Sequence, residues 1–138
     1  IMGRNTWESI DCKPLKDRDN IVMSRSSKNV TNSELTAGVV NNIDGVFNLC
    51  AKHKYDDIWI IGGSEIYRLF LENALCDSCH ITYINQDYEV DTYFPFELCD
   101  YWTTKSVTNL SSKTETSPEV NLHVISREYD YYANKFGI

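Results

Sequence analysis

The stretch that decides the fold is DDIWIIGGSEIYRLF, residues 56–70. Four apolar residues, 58–61, lead directly into Gly62 and Gly63, and a segment with helical spacing follows. A short run that is apolar on both faces predicts a buried strand of a parallel sheet. Glycines before a helix start let an anion approach the first backbone N–H groups, which have no partner inside the helix. The stretch therefore predicts a strand, a tight turn and a helix that together can hold a phosphate.

The same turn can also join a strand to a helix without any ligand. The chain contains neither G-x-G-x-x-G nor a Walker-type lysine, so the glycines alone leave both interpretations open. Two other segments support the interpretation that this edge of the sheet binds phosphate groups. GRNTW (3–7) follows an apolar stub and precedes a predicted helix, and NIVMSR (20–25) ends in a hydroxyl beside a guanidinium. Each arginine alone is more often a surface residue, but three phosphate-suited strand ends favour a nucleotide site.

Strand and helix patterns alternate over the first half of the chain, and two alternating strands close it. The polar segment SSKTETSPE separates those last two strands, which predicts an antiparallel hairpin. The fold class is therefore α/β, mostly parallel, with an antiparallel edge, in a single domain over residues 1–138. The predicted helices are 6–10, 43–53 and 64–72, and the predicted strands are 20–24, 39–40, 57–61, 79–86, 102–110 and 121–132.

Composition excludes several classes of function. The chain has 138 residues and a net charge of −7. This charge argues against a nucleic-acid partner, because a protein that binds a phosphate backbone needs a basic face. No apolar run is long enough to cross a membrane. The five cysteines are odd in number and scattered, which favours a reduced, cytoplasmic setting. A lone C-x-x-C, Cys76 to Cys79, lacks the further ligands of a zinc site, so two ordinary thiols and no metal are expected.

Four blocks of this sequence carry a resemblance to a known family. They are IMGRNTWESI, KPLKDRDNIVMSR, DDIWIIGGSEIY and DTYFP. Their order and rough spacing resemble those of dihydrofolate reductase. The resemblance implies a three-layer α/β fold with a central, mostly parallel, twisted sheet, helices on both faces and an antiparallel C-terminal hairpin. It also implies NADPH-dependent reduction of 7,8-dihydrofolate to 5,6,7,8-tetrahydrofolate.

The resemblance assigns a set of residues to the cofactor, NADPH. Arg4 is placed near the 2′-phosphate. Ser24 and Arg25 resemble the pair that grips the adenosine 2′-phosphate and selects NADPH over NADH. The other implied cofactor residues follow strand ends, and the resemblance joins the two central glycines by a cis peptide; these residues are Gly3, Thr6, Gly62, Gly63, Ser64, Glu65 and Ile66.

A second set is implied for the substrate. Arg18 resembles the arginine that pairs with the α-carboxylate of the folate glutamyl tail. Thr92, in DTYFP, resembles the threonine that orients the catalytic carboxylate, and Tyr67 is implied beside the pterin and nicotinamide. The resemblance also implies that Ile10 and Leu15 contact the aminobenzoyl group of the substrate. It places the Ile61 carbonyl and the Tyr67 ring on either side of the pterin and nicotinamide.

In the dihydrofolate reductase family, the catalytic acid and the first strand lie before the segment that matches the start of this sequence. We therefore expect an N-terminally incomplete reductase, with the acid in the missing segment. Two alternatives stay open: a non-catalytic NADPH- or folate-binding fragment, and the pyrimidine reductase of riboflavin synthesis on the same fold. Residues 130–138 are expected to be a tail or the start of a linker toward a fused thymidylate synthase.

Overall fold

The computed structural model describes residues 1–127, and residues 128–138 lie outside the described part of the chain. The predicted tail, 130–138, and the end of the last predicted strand therefore fall outside it. The chain divides into two units, Ile1–Phe70 and Leu71–Ile138. The first is built on a parallel sheet and the second on an antiparallel sheet.

The first unit contains a three-stranded parallel sheet with the order β1-β2-β3. Met2 pairs with Val22 and Val22 pairs with Val39, so the carboxyl ends of the three strands lie at the same edge. Helices follow β1 and β3 closely in the chain, which places their first turns at that edge. The elements are β1 (Met2–Gly3), α1 (Arg4–Ser9), β2 (Ile21–Met23), β3 (Gly38–Val40), α2 (Ile43–His53) and α3 (Ser64–Glu72).

The core of the first unit is a small apolar cluster around Trp7. Met2, Trp7, Val22 and Val30 are all less than 7% exposed, and Trp7 and Val22 are completely buried. The indole Nε1 of Trp7 donates a hydrogen bond of 2.7 Å to the carbonyl oxygen of Thr31. The cluster therefore joins β1, α1 and β2 to the chain that follows them.

The second unit contains an antiparallel sheet with the order β4-β6-β5. Its strands are β4 (Ser78–Ile84), β5 (Trp102–Ser111) and β6 (Val120–Arg127). The central strand, β6, pairs with β4 from Ser78 opposite Ser126 and with β5 from Trp102 opposite Arg127. A 3₁₀ turn, Phe96–Cys99, precedes β5.

Most sequence predictions of elements are confirmed. Helices α2 and α3 have the predicted bounds, α1 begins two residues earlier than predicted, and β5 with β6 form the predicted antiparallel hairpin. The α/β class is confirmed, with a parallel sheet in the first unit and an antiparallel sheet in the second. In the described residues the strands form two three-stranded sheets, where the sequence predicted one central sheet.

The predicted buried strand at 57–61 is wrong. The segment is assigned no strand, and Ile58 and Trp59 are 51% and 54% exposed. It still lies beside β1, because the Ile1 amine donates to the Trp59 carbonyl at 2.7 Å and Ile61 N donates to the Ile1 carbonyl at 2.9 Å. An apolar run is buried on both faces only when other elements cover both faces, and within the first unit these two side chains stay uncovered.

Candidate functional site

The double glycine lies against the carboxyl end of β1. Gly3 N donates a hydrogen bond of 2.7 Å to the carbonyl oxygen of Gly62. The Gly62–Gly63 peptide is cis, as the resemblance implied. A Cβ placed on Gly63 would lie 3.7 Å from Oγ1 of Thr6, so the first helix passes close to this turn. The structure therefore brings Gly3, Thr6 and the glycine pair together.

Helix α3 begins at the second glycine of the pair. The Gly63 carbonyl accepts hydrogen bonds from Ile66 N at 2.9 Å and from Tyr67 N at 3.0 Å. The N–H groups of Ser64 and Glu65 precede these donors, in the first turn of the helix, where N–H groups have no intrahelical acceptor. The structure therefore contains the turn and helix start that the sequence predicted.

Close packing leaves little room for side chains on two of the glycines. Gly62 has φ +99°, and a Cβ there would lie 2.9 Å from Cε2 of Tyr67. A Cβ on Gly3 would lie 3.0 Å from Cγ1 of Ile66. Gly62 is therefore required both by its backbone conformation and by the Tyr67 ring beside it.

Arg4 occupies the first position of α1, but its guanidinium faces along the helix. Its Nη1 lies 3.2 Å from Oε1 of Glu8, one helical turn on, and both side chains are more than 40% exposed. Such exposed i,i+4 pairs stabilise a helix by only about 0.3–0.5 kcal/mol. The pair therefore separates easily, and Arg4 can reorient toward an anion at little cost.

A cleft of about 510 Å³ opens at the carboxyl ends of β2 and β3. Ser24, which follows β2, is fixed there because its N–H donates to the Val40 carbonyl at 2.9 Å. Its hydroxyl donates to the Ser26 carbonyl at 2.9 Å. The cleft is lined by Ser24, Arg25, Ser26, Ser27, Lys28, Val39, Val40, Asn41 and Gly45.

Of the lining residues only Ser24 and Arg25 were predicted as site residues, and Lys28 and Gly45 are among those that were missed. Lys28 adds a second cation to Arg25. Gly45 lies in the first turn of α2, whose cap, Asn42, accepts a hydrogen bond of 2.8 Å from Gly45 N. The sequence signals were a lysine three residues after Arg25 and an asparagine cap two residues after a short apolar strand.

Three of the predicted substrate residues, Ile10, Leu15 and Arg18, lie between α1 and β2, whereas Ile61 precedes the glycine pair and Tyr67 lies on α3. Ile10 and Ile61 are half-buried against the Trp7 cluster. Leu15 is 36% exposed. Arg18 is exposed, and its Nε donates to the Lys16 carbonyl at 3.0 Å, which leaves its other guanidinium nitrogens available to a carboxylate.

Asn20 holds this loop in place, and sequence reasoning missed it. It is 3% exposed, and its side chain makes three hydrogen bonds of 3.0 Å: from Leu15 N to Oδ1, and from Nδ2 to the carbonyls of Leu15 and Arg18. A buried amide that bonds three backbone groups fixes their conformation. The signal was an asparagine directly before an apolar strand.

Replacing Asn20 by alanine is expected to lower the free energy of unfolding by about 1–2 kcal/mol, because buried backbone groups of the loop lose their partners. Urea denaturation measures this change. Asn48→Ala is the matched control, since Asn48 is exposed on α2, and it is expected to change stability by less than about 0.5 kcal/mol. Equal effects of the two variants would contradict the role of Asn20.

A second contact fixes the same loop to the end of α2. The Tyr55 hydroxyl donates a hydrogen bond of 2.7 Å to Oδ2 of Asp19. The His53 ring stacks on the Tyr55 ring at 5.3 Å, and its Nδ1 lies 3.7 Å from the same carboxylate oxygen. Burial, together with the hydrogen bond and charge of Asp19, raises the pKa of Tyr55 from 10.0 to about 12.

The raised pKa of Tyr55 predicts the alkaline behaviour of this contact. The folded state holds the phenol proton more tightly than the unfolded state, so the stabilisation is complete below pH 10 and is lost as pH rises to about 12. Tyr55→Phe is therefore expected to cost about 1 kcal/mol of stability at pH 8 and progressively less above pH 10. Unfolding curves at several pH values test this, with Tyr88→Phe, an exposed tyrosine, as control. A constant difference across that range would contradict it.

Thr92 belongs to the second unit, where its hydroxyl donates to Oδ1 of Asp91 at 3.0 Å. Among residues 1–127, no group of three or more histidine, cysteine or acidic side chains is arranged to hold a metal ion. No helix in that part of the chain is long and apolar enough to cross a membrane. The predicted residues that the structure brings together thus all belong to the first unit.

In open α/β sheets, ligand crevices lie outside the carboxyl ends of the parallel strands, and the glycine turn, hydroxyls and cations of this chain lie at that edge. Comparison with known proteins narrows this class. A sequence model of the family described as dihydrofolate reductase matches residues 1–127. The chain therefore belongs to the dihydrofolate reductase family.

Individual relatives agree with this assignment. The dihydrofolate reductase of Buchnera aphidicola subsp. Acyrthosiphon pisum is 37% identical over 132 residues, which cover 93% of this chain and 72% of the relative. The dihydrofolate reductase of Gallus gallus is 37% identical over 101 residues, covering 69% of this chain and 52% of the relative. The bifunctional dihydrofolate reductase-thymidylate synthase of Plasmodium chabaudi is 30% identical, covering 93% of this chain and 23% of the relative. The chain thus spans about half of the Gallus gallus protein and under a quarter of the bifunctional one.

Proposed function

We propose that the protein containing this chain reduces 7,8-dihydrofolate to 5,6,7,8-tetrahydrofolate with NADPH. The observation that carries the proposal is the cleft at the carboxyl ends of β2 and β3, where Ser24, Arg25 and Lys28 line one space. Hydroxyls beside two cations suit a phosphate monoester, because charge-assisted hydrogen bonds to phosphate are the strong ones. Family membership supplies the substrate class.

The residues of the first unit fit NADPH. In this proposal Ser24 and Arg25 hold the adenosine 2′-phosphate, and Arg4 leaves Glu8 to add charge. The turn at the double glycine and the start of α3 hold the pyrophosphate through Gly63, Ser64, Glu65 and Ile66, beside Gly3 and Thr6. When bound, NADPH supplies the hydride for the reduction.

The chain's own residues position the substrate. Arg18 pairs with the α-carboxylate of the glutamyl tail, and Ile10 and Leu15 cover the aminobenzoyl group. The Ile61 carbonyl and the Tyr67 ring flank the pterin and nicotinamide. Thr92 orients the carboxylic acid that protonates the pterin. Each of these residues positions a reacting group and excludes water from it.

The experiment uses the protein expressed from its complete reading frame. Arg25→Gln is expected to weaken NADPH binding about 10- to 100-fold, because an arginine–phosphate contact stabilises binding by about 1.5–3 kcal/mol. NADH binding is expected to stay unchanged, since NADH lacks that phosphate. Calorimetry with both nucleotides measures the difference, and equal weakening of both would remove Arg25 from the 2′-phosphate.

Arg18→Leu is the companion variant for the substrate. It is expected to weaken binding of dihydrofolate more than binding of NADPH, and an equal loss would contradict its assignment.

Loss of absorbance at 340 nm with dihydrofolate tests turnover. Binding without turnover would favour a non-catalytic module, and turnover of a ribosyl pyrimidine instead would favour the reductase of riboflavin synthesis.

We also propose a cellular compartment and a partner domain for the protein. We expect one domain over 1–138 in the reducing cytoplasm, where all five cysteines, which are free in the structure, stay reduced. Relatives from Plasmodium chabaudi and Arabidopsis thaliana are named bifunctional with thymidylate synthase. A fused thymidylate synthase is therefore a proposed partner, and the complete reading frame tests it.

A further inference from the structure

Asn20 is the only buried polar residue among residues 1–127. It directly precedes β2, whose three residues are all buried. Its own backbone carbonyl accepts a hydrogen bond of 2.8 Å from the N–H of Ala37, the residue just before β3. The backbone of Asn20 is therefore fixed to the parallel sheet of the first unit, and a side chain on such a backbone can hold a neighbouring loop in one position.

The side-chain amide of Asn20 connects the two ends of segment 15–18. Its Oδ1 accepts from Leu15 N, and its Nδ2 donates to the carbonyls of Leu15 and Arg18, each at 3.0 Å. These partners admit only one orientation of the amide, because the two carbonyls require donors and the Leu15 N–H requires an acceptor. Asp17, between the two ends, has φ +58°, a conformation that a non-glycine residue keeps only where surrounding contacts fix it. The amide thus fixes the separation of Leu15 and Arg18.

The position of the Arg18 guanidinium depends on this loop. Arg18 is exposed, and its Nε donates to the Lys16 carbonyl within the same loop at 3.0 Å. The loop backbone therefore sets the direction of the guanidinium, and Asn20 sets the loop backbone. A mobile loop would bind a carboxylate only in the fraction of molecules that have the competent conformation, and the apparent Kd rises by the inverse of that fraction.

We propose that Asn20 is a positioning residue for the carboxylate tail of the substrate. It holds Leu15 and Arg18 at one separation, so that the two contact the aminobenzoyl group and the α-carboxylate of the same molecule. The inference rests on the proposed function, which assigns those two groups to Leu15 and Arg18. It gives the Asn20 amide a second role besides stability, because the amide then favours substrates that carry the carboxylate tail.

The proposed cofactor residues lie at the other end of β2. Asn20 precedes this strand and Ser24 follows it. Four residues at about 3.3 Å each place the Cα atoms of these two residues about 13 Å apart. Loss of the Asn20 amide is therefore expected to change binding of the substrate tail and not binding of the 2′-phosphate.

The experiment uses the protein expressed from its complete reading frame. Calorimetry measures binding of dihydrofolate, of dihydropteroate, which lacks the glutamyl tail, and of NADPH. Asn20→Ala is expected to weaken dihydrofolate binding about tenfold and to weaken binding of the other two ligands less than about threefold. Asn48→Ala, at an exposed position of α2, is the matched control and is expected to change none of the three.

A double variant tests whether Asn20 acts through Arg18. In the Arg18→Leu background, Asn20→Ala is expected to add little further loss of dihydrofolate affinity, because two residues that act as one unit are not additive. In steady-state kinetics, Asn20→Ala is expected to raise KM for dihydrofolate and to leave kcat unchanged, whereas partial unfolding alone would lower kcat and leave KM unchanged. Additive effects of the two substitutions, or a loss in kcat alone, would overturn the proposal.

Two further measurements cover the case of an alanine variant that does not fold. Asn20→Asp keeps the size of the side chain and the acceptor for Leu15 N, loses the amide donors, and is expected to show the same preference among the ligands. In the unaltered protein, dihydrofolate is expected to slow hydrogen exchange of the Leu15 amide more than dihydropteroate does, because coupling between two sites is reciprocal. Equal slowing by the two ligands would overturn the role of Asn20.

The outcomes separate this inference from the proposed function. A loss in Arg18→Leu that is confined to dihydrofolate, together with unchanged binding in Asn20→Ala, would overturn the role of Asn20 and leave the proposed function intact. An unaltered protein that binds neither dihydrofolate nor dihydropteroate would overturn the proposed function, and the role of Asn20 with it.

Discussion

Replacing Gly62 by alanine is expected to lower the free energy of unfolding by about 3 kcal/mol and to abolish cofactor binding. Two costs combine at this position. The φ of +99° lies where L side chains are strained, and the new Cβ would lie 2.9 Å from the Tyr67 ring. The ring must move, and it lies against the glycine turn that leads into the proposed pyrophosphate site.

Gly63→Ala is the matched control for this prediction. A Cβ on Gly63 would meet only Oγ1 of Thr6, at an ordinary contact distance of 3.7 Å. We expect that variant to lose less than about 1 kcal/mol. The double variant Gly62→Ala with Tyr67→Ala removes the overlap and leaves the backbone strain, so partial recovery is expected. Equal stability of the two single glycine variants, measured by urea denaturation, would refute the account.

Trp7→Ala is expected to cost about 3–5 kcal/mol, the range for large aromatic truncations in a core. Trp7 is completely buried and is the largest fully buried side chain of the described residues. Its removal leaves a cavity between β1, α1 and β2, and the Thr31 carbonyl loses the indole N–H. Since a domain of this size is stable by only about 5–15 kcal/mol, the loss is a large fraction of the total stability.

Two further variants separate the causes at Trp7. Trp7→Phe keeps most of the apolar volume and loses the hydrogen bond, so a smaller loss of stability is expected. Trp59→Ala removes the same side chain from a position that is 54% exposed, and a loss below about 1 kcal/mol is expected. Circular dichroism against temperature compares the three. A Trp59→Ala variant as unstable as Trp7→Ala would show that burial does not set the difference.

The sequence predicted helices and strands well where the apolar residues of a segment recur at regular spacing on one face. Helix α3 was found with its bounds because apolar residues recur at helical spacing after a glycine pair. The hairpin of β5 and β6 was found because both strands alternate and a polar turn separates them. The glycine turn and the Ser24–Arg25 strand end were also visible, since such sites depend on residues adjacent in the chain.

Contacts between distant residues could not be predicted in this way. Nothing near Asn20 in the sequence shows that its amide bonds the loop of Arg18. The exposure of Trp59 was also not predicted. An apolar run shows which residues can be buried, but it does not show whether another element covers them.

The sequence by itself determined the family, the α/β class, and the strand ends that suit phosphate groups. These follow from local patterns, since a glycine turn, a capped helix or an arginine beside a hydroxyl is specified within a few residues. Only the tertiary structure decided that Gly62 must lack a side chain beside Tyr67, and that the cleft includes Lys28 and Gly45. Those facts depend on packing between elements far apart in the chain, and packing is set by the whole fold.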